Sequence, residues 1–129
     1  MSDRAGQPEN VPGRPLVVIV GPCASGKSTL AKNLEMHGVH VHVVGQEHSA
    51  VKRLWQQRQP DFVVALDVDL ETLRQRRGAT WPEAIYRSQH ERLANAYSAA
   101  SIYIDTSHIA EEDVLSMVLE RLDEEKRDD

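Results

Sequence analysis

One octapeptide near the N-terminus, G-P-C-A-S-G-K-S at residues 21–28, constrains the fold more than any other stretch. It matches the pattern G-x-x-x-x-G-K-[ST] and follows an apolar run, Leu16–Val20, that predicts a buried strand. Residues 29–34, which come next, have the composition of a helix. Strand, glycine-rich loop and helix in this order predict a phosphate-binding loop, because backbone N–H groups and a helix N-terminus converge on an anion. The alternative is a chance strand–turn–helix.

The residue types in this loop have separate chemical roles. Gly21 and Gly26 permit backbone conformations and close approaches that a Cβ would obstruct. Lys27 is expected to reach the β- and γ-phosphates of a nucleoside triphosphate, and Ser28 to offer its hydroxyl to Mg²⁺. We therefore predict that Mg-ATP is held by nine consecutive residues: Gly21, Pro22, Cys23, Ala24, Ser25, Gly26, Lys27, Ser28 and Thr29.

The length of the chain, 129 residues, predicts one domain. We place this domain at residues 15–124. Residues 1–14 are polar and contain proline and glycine, which predicts a disordered N-terminal tail. Residues 125–129 are charged and predict a frayed tail at the other end.

Charge and hydropathy exclude several classes of protein. The 20 acidic and 15 basic residues give a net charge of −5, which is unfavourable for binding nucleic acid or an anionic membrane. The longest apolar run, residues 16–20, is far shorter than the ~20 residues of a membrane span. The sequence begins without the apolar core of a signal peptide. With a single cysteine, Cys23, these features predict a reduced, cytoplasmic protein. Cys23 is either a passive loop side chain, which we favour, or a redox-sensing thiol.

The second predicted strand, residues 39–44, ends in polar residues that are placed to act on a ligand. The carboxyl ends of parallel strands form the ligand-binding edge of an open sheet. If this strand is next to the first, Glu47 falls close to the Mg²⁺ held by Ser28, as a metal ligand or a general base. The alternative is a polar turn in which His48 or Ser49 caps a helix predicted over residues 49–58.

The third predicted strand covers residues 61–69 and is apolar on both faces through Leu66, which indicates helices on both sides. It delivers Asp67 and Asp69 to the same edge. Either carboxylate can orient Mg²⁺-bound water, and we choose Asp67 as the third metal residue. Asp69 is alternatively the N-cap of a helix over residues 70–77.

Two later helices carry arginines. Arg74, Arg76 and Arg77 are typical of a solvated face, but their helix begins at the phosphate edge, so one of them is expected to contact ligand. A capping box at residues 80–83 predicts a second helix that continues to about residue 100. Gln89 and Arg92 share the apolar stripe of that helix and should face inward. An inward arginine needs a partner, and we favour a phosphoryl group over a structural carboxylate. A fourth strand at 101–106 and a helix at 111–122 complete the chain.

This order of elements resembles the P-loop small-molecule and nucleotide kinases, such as adenylate, shikimate and gluconate kinases, over residues 15–124. The segment L-D-V-D-L-E-T-L-R-Q-R at 66–76 is similar to the strand and helix before the lid of those enzymes. The resemblance implies that Arg76 lies against the adenine of ATP, and that Arg92 contacts the transferred phosphoryl group. The Asp-Gly-Phe-Pro-Arg segment of adenylate kinases and their additional strand are not in this sequence.

The fold predicted from these observations is a three-layer α/β sandwich of the P-loop NTPase kind, with a parallel four-stranded sheet in the order 2-1-3-4. The predicted function is phosphoryl transfer from Mg-ATP to a small metabolite, with Lys27, Glu47 and Arg92 as catalytic residues and Ser28, Glu47 and Asp67 around Mg²⁺. Two alternatives stay open: a slow NTPase switch, and a non-catalytic nucleotide sensor that acts through a protein partner. A homodimer that supplies acceptor contacts is also open, with Trp81 as its candidate interface residue.

Overall fold

A computed structural model describes residues 15–127. The predicted tail at 1–14 and the last two residues of the C-terminal tail lie outside the described residues. The strands are β1 (Leu16–Val20), β2 (His40–Val43), β3 (Phe62–Asp67) and β4 (Ile102–Asp105). The helices are α1 (Lys27–Met36), α2 (Leu70–Arg77), α3 (Glu83–Ser98) and α4 (Glu111–Arg127).

The four strands form one parallel sheet in the order β2-β1-β3-β4, which confirms the predicted order. Leu16 pairs with His40 on one side of β1, and Val17 pairs with Phe62 on the other. The two central strands are the continuous apolar runs, because a strand covered on both faces needs apolar side chains on both. The C-terminal ends of all four strands therefore meet at one edge.

Helices cover both faces of this sheet. On one face, Leu30 and Leu34 of α1 and Val114 and Val118 of α4 pack against the alternate side chains of β1 and β3. On the other face, α3 contributes Leu93 and Ala96, and a buried tryptophan completes the cluster. The sheet is thus an inner layer between two helical layers, and the loops at its carboxyl edge are anchored to a rigid core.

The helix predicted over residues 49–58 is wrong. Two short 3₁₀ turns, Gln46–His48 and Leu54–Gln56, occupy this connection instead. The buried amide of Gln46 accepts a hydrogen bond from Trp55 N at 2.9 Å and donates one to Val51 O at 2.8 Å. These contacts fold the connection back on itself and leave Val51 53% exposed, although Val51, Leu54 and Trp55 have the spacing of a buried helical stripe.

The capping box predicted at residues 80–83 is also wrong. Helix α3 begins at Glu83 after Pro82, without a side-chain cap, and Thr80 is exposed within a turn in which Trp81 N donates to Gly78 O. Proline keeps the preceding residue out of the helical conformation, so Trp81 cannot begin a helix. The Glu83 carboxylate instead accepts a hydrogen bond from Arg87 at 2.6 Å.

The bounds of helices α2 and α4 can be compared with the predicted ones. Helix α2 has the predicted bounds, and Asp69 caps it by accepting a hydrogen bond from Thr72 N at 2.7 Å. Helix α4 continues to Arg127, five residues past its predicted end. Among the helices within residues 15–127, none has the length and apolar character to cross a membrane.

Candidate nucleotide-binding site

The loop between β1 and α1 is built around a close approach at Gly21. A Cβ on Gly21 would lie 2.6 Å from Ser25 Oγ and 2.9 Å from the main-chain oxygen of Leu66. Atoms at these separations overlap, so only glycine lets the loop pass this close to β3. Ser25 is buried at this point, and its N–H donates to Pro22 O across the turn.

Left-handed backbone conformations carry the loop into α1. Gly26, the N-cap residue, has φ 95°, and Ala24 has φ 65°. A non-glycine residue with positive φ is strained, and such strain is concentrated at functional loops. Within the described chain, no side chain caps the N-terminus of α1. The first N–H groups of a helix lack partners inside it, so this uncapped end is suited to an anion.

The side chain of Lys27 folds back over the loop. Its Nζ donates to Gly21 O at 2.8 Å and to Pro22 O at 3.1 Å, and lies 2.9 Å from Glu47 Oε2. Only 12% of this side chain is exposed. The loop therefore holds one positive charge at its centre, directed by carbonyl groups on one side and a carboxylate on the other.

Glu47 lies in the turn after β2, and its side chain is only 5% exposed. One carboxylate oxygen binds Lys27, while the other, Oε1, has no hydrogen-bond partner among the described residues. Arg92 Nη1 donates to the main-chain oxygen of Glu47 at 3.3 Å. The structure thus brings together the three residues predicted as catalytic. Arg92 itself is exposed, so the prediction that it faces the core is wrong.

A cavity of about 620 Å³ extends from this charged pair along the loop. This is within the usual size range of small-molecule sites. Its lining combines charged and polar side chains with apolar ones. The lining includes Cys23, Ala24, Ser25, Gly26, Lys27, Ser28, Thr29, Leu30, Glu47, His48, Leu66, Arg76, Arg77, Thr106, Ile109, Glu111 and Val114.

At the far end, Arg76 crosses from α2 to the loop. Its guanidinium donates to Ala24 O at 2.6 Å and to Thr106 O at 3.2 Å. The Thr106 hydroxyl in turn donates to Ser25 O at 2.8 Å, which joins the end of β4 to the loop. Arg74 is engaged elsewhere, because its Nε donates to Trp81 O. Of the three arginines of α2, Arg76 and Arg77 line the cavity and Arg74 does not.

Asp67 is not among the residues that line the cavity. Its Oδ1 accepts hydrogen bonds from Val68 N at 2.8 Å and faces His90 Nε2 at 2.7 Å, and its Oδ2 accepts from the Tyr103 hydroxyl. The structure therefore engages Asp67 with the ring side chains of His90 and Tyr103, whereas Ser28 and Glu47 line the cavity. The periodicity of β3 predicts the edge that Asp67 reaches, but not these partners.

Gln89 is a loop-binding residue to which the sequence pattern assigns no role. Its buried amide accepts a hydrogen bond from Cys23 N at 3.1 Å and donates to Cys23 Sγ at 3.3 Å. It thereby fixes both the backbone and the thiol of the third loop residue. Its position on the inward stripe of α3 was the only available signal, because a buried amide needs polar partners.

Four groups near the carboxyl edge of the sheet have shifted pKa values. Burial raises the pKa of Tyr97, which donates to Leu66 O, and the carboxylate of Asp67 adds to the effect. Burial and the hydrogen bond to Asp67 raise the pKa of Tyr103. Burial likewise raises the pKa of Tyr86. Hydrogen bonds from Thr72 lower the pKa of Asp69.

A comparison with models of protein families finds none that matches this chain, and a search among curated proteins finds no relative. The function is therefore inferred from the geometry of the site.

Proposed function

We propose that this chain binds Mg-ATP along the cavity and transfers the γ-phosphoryl group to a small metabolite. The observation that carries the proposal is the position of Lys27. Its ammonium group is held by the Gly21 and Pro22 carbonyl groups, Lys27 is the first residue of the uncapped helix α1, and it lines the cavity of about 620 Å³. A buried cation beside a helix N-terminus without a side-chain cap favours a polyanion over a neutral ligand.

The triphosphate would lie along the loop, with Lys27 exchanging its contact to Glu47 for one to the phosphates. The base would lie toward Arg76 and Ile109, where an apolar wall and a guanidinium plane are adjacent. Arginine stacks well on aromatic rings, which supports this orientation over the reverse. The part of the cavity beside Glu47, whose main-chain oxygen binds Arg92, is then left for the γ-phosphoryl group.

The residues at the loop fit Mg²⁺. Ser28 lines the cavity, and Glu47 has a buried carboxylate oxygen without a hydrogen-bond partner in the described chain. Mg²⁺ prefers oxygen ligands and commonly combines one or two protein ligands with phosphate oxygens and water. Bound there, the ion would neutralise charge on the phosphates. We assign it to Ser28 and Glu47, because the oxygens of Asp67 are engaged with other groups.

The proposed reaction needs few protein groups. An acceptor hydroxyl oxygen attacks the γ-phosphorus, the bond to the β-γ bridging oxygen breaks, and ADP leaves. The hydroxyl proton goes to Glu47 Oε2, which Lys27 releases when its ammonium group turns to the phosphates, while Oε1 is the oxygen assigned to Mg²⁺. The Arg92 guanidinium, anchored at Glu47 O, would offset charge on the migrating group. Positioning and charge neutralisation supply most of the catalysis in phosphoryl transfer.

Formation of ADP is the measurement that tests the proposal. The purified chain is incubated with Mg-ATP alone and with pools of hydroxyl- and carboxyl-bearing metabolites. Faster ADP formation with one pool is the expected result. ADP formed at the same rate in every pool would contradict transfer to a metabolite and indicate an NTPase switch. Binding of ATP without any ADP would also contradict it and indicate a nucleotide sensor.

A further inference from the structure

Three potential metal ligands of different chemistry converge at the mouth of the loop. The Cys23 sulfur, a Glu47 carboxylate oxygen and a His48 ring nitrogen all lie within 4.8 Å of one another. We propose that this trio is a binding site for a thiophilic divalent cation, of which Zn²⁺ is the type. The site would bind the metal without nucleotide, and it is separate in chemistry from the Mg²⁺ proposed above.

The unpartnered oxygen of Glu47 is a second, independent sign that this carboxylate has a cation as its missing partner. The side chain is almost fully buried, and Oε1 has no hydrogen-bond partner within residues 15–127. Leaving a buried charged oxygen unpaired is costly, so a bound cation would relieve an existing deficit. Lys27 occupies the other oxygen and leaves this deficit in place.

The thiol of Cys23 is held in position by Gln89. The amide of this buried side chain donates to Sγ at 3.3 Å and accepts from the Cys23 N–H at 3.1 Å. Groups that hydrogen-bond to a ligand from the far side orient it and adjust its affinity for metal.

His48 supplies the adjustable ligand. Its Nε2 is 3.5 Å from Glu47 Oε2, and the side chain is 64% exposed, so it can turn without disturbing the core. Bond lengths of about 2.0–2.3 Å in tetrahedral zinc sites put ligand atoms about 3–4 Å apart, which a small rotation of His48 achieves. All three residues line the cavity, from which water could supply a fourth ligand.

The ligand set selects the metal. Thiolate and imidazole favour Zn²⁺ and Co²⁺, whereas Mg²⁺ takes oxygen ligands. Zn²⁺ would displace the thiol proton of Cys23 to solvent, leaving a zinc–sulfur bond with no change of oxidation state. If the proposed function holds, Glu47 is shared by both sites, and Zn²⁺ and Mg-ATP then bind in competition.

The first test uses the reduced, metal-free chain and Zn²⁺ alone, by calorimetry, with variants Cys23→Ser and His48→Ala. The matched control is His37→Ala, an exposed histidine at the end of α1. We expect one ion per chain, an affinity at least ~10-fold lower in each site variant, and unchanged binding in the control. Thermal melts establish that the variants are folded, and His48→Ala, at an exposed position, is the safer of the two.

A second measurement replaces Zn²⁺ with Co²⁺ and records the absorption spectrum. Thiolate-to-cobalt charge-transfer bands, lost in Cys23→Ser, are expected. The absence of these bands, no saturable binding of Zn²⁺, or equal binding by Cys23→Ser would overturn the site. Both measurements omit nucleotide, so a chain that binds Zn²⁺ but not ATP contradicts the proposed function alone, and the reverse result contradicts the metal site alone.

Discussion

The ammonium group of Lys27 lies 2.9 Å from Oε2 of Glu47, which joins the first residue of α1 to the turn after β2. Both side chains are largely removed from solvent. Breaking such a pair leaves an uncompensated buried charge, whereas an incoming polyanion supplies Lys27 with a replacement partner. The pair therefore fits a site that holds the Lys27 ammonium group in place until phosphates bind. Glu47 is then free to act as the proposed general base.

Substitution Glu47→Gln tests the proposed role of Glu47 as general base, because it keeps the shape of the side chain and removes its charge. We expect ADP formation to fall by about 100-fold, the range for loss of a general base, while ATP still binds. The assay is turnover in the presence of the accelerating metabolite pool. The control is Glu111→Gln, an exposed carboxylate on the same cavity, which should keep wild-type turnover. Equal rates in wild type and Glu47→Gln would contradict the assignment.

Substitution Gly21→Ala tests the packing of the loop. The new Cβ would overlap Ser25 Oγ and the main chain of Leu66, so the loop must move. We expect the free energy of unfolding to fall by about 1–3 kcal/mol, as measured by urea denaturation. The matched variant is Gly45→Ala, where φ is −78° and no atom lies within 4 Å of the added Cβ. Its stability should change by less than about 0.5 kcal/mol, and equal losses in the two variants would rule out the steric explanation.

The ionised carboxylate of Asp69 should make the protein less stable as pH falls into the acidic range. Hydrogen bonds from Thr72 lower its pKa, so its contribution to stability is present above the usual Asp pKa of about 3.9 and is lost as pH falls through the lower, folded value. Asp69→Ala removes the cap and should lower the melting temperature. Asp69→Asn keeps a capping oxygen, and its advantage over Asp69→Ala should persist at acidic pH. Thermal melts at a series of pH values measure this, and a variant Asp69→Ala as stable as wild type would show that the cap is dispensable.

The buried hydroxyl of Tyr97 should make the protein less stable as pH rises into the alkaline range. Burial raises its pKa above the usual value of about 10, so the unfolded chain ionises first and stability falls as pH rises beyond 10. Tyr97→Phe leaves Leu66 O without its donor and should cost about 1 kcal/mol near neutral pH. Its stability should then decline less steeply above pH 10. Urea denaturation across this pH range measures the free energy of unfolding of both proteins. Parallel declines in wild type and Tyr97→Phe would show that Tyr97 is not the cause.

The sequence predicts the loop and the sheet order because both depend on short-range patterns. Fixed glycine positions define the loop, and the apolar runs of β1 and β3 allow only central strands. Right-handed connections then leave few possible orders. Helix α2 is found with its predicted bounds for the same reason, since its cap at Asp69 and the glycine after it are local signals.

The errors arise where distant contacts decide the outcome. Helical spacing is seen in Val51, Leu54 and Trp55. The side-chain amide of Gln46, however, hydrogen-bonds to the backbone of Val51 and Trp55 and holds this connection in a non-helical conformation. Periodicity describes which face a side chain occupies and does not identify its partner. For that reason the contact between Gln89 and Cys23, 66 residues apart, is not predictable from the pattern of α3.

Binding of Mg-ATP to Lys27→Ala, measured by calorimetry, tests the central claim most directly. The control is Lys32→Ala, an exposed lysine on the same helix that should bind like wild type. Loss of charged hydrogen bonds worth about 1.5–3 kcal/mol corresponds to a decrease in affinity of roughly 10–100-fold or more. The account predicts one ATP per wild-type chain and at least this loss in Lys27→Ala. An affinity in folded Lys27→Ala equal to that of wild type would contradict the assignment of this loop as a nucleotide site.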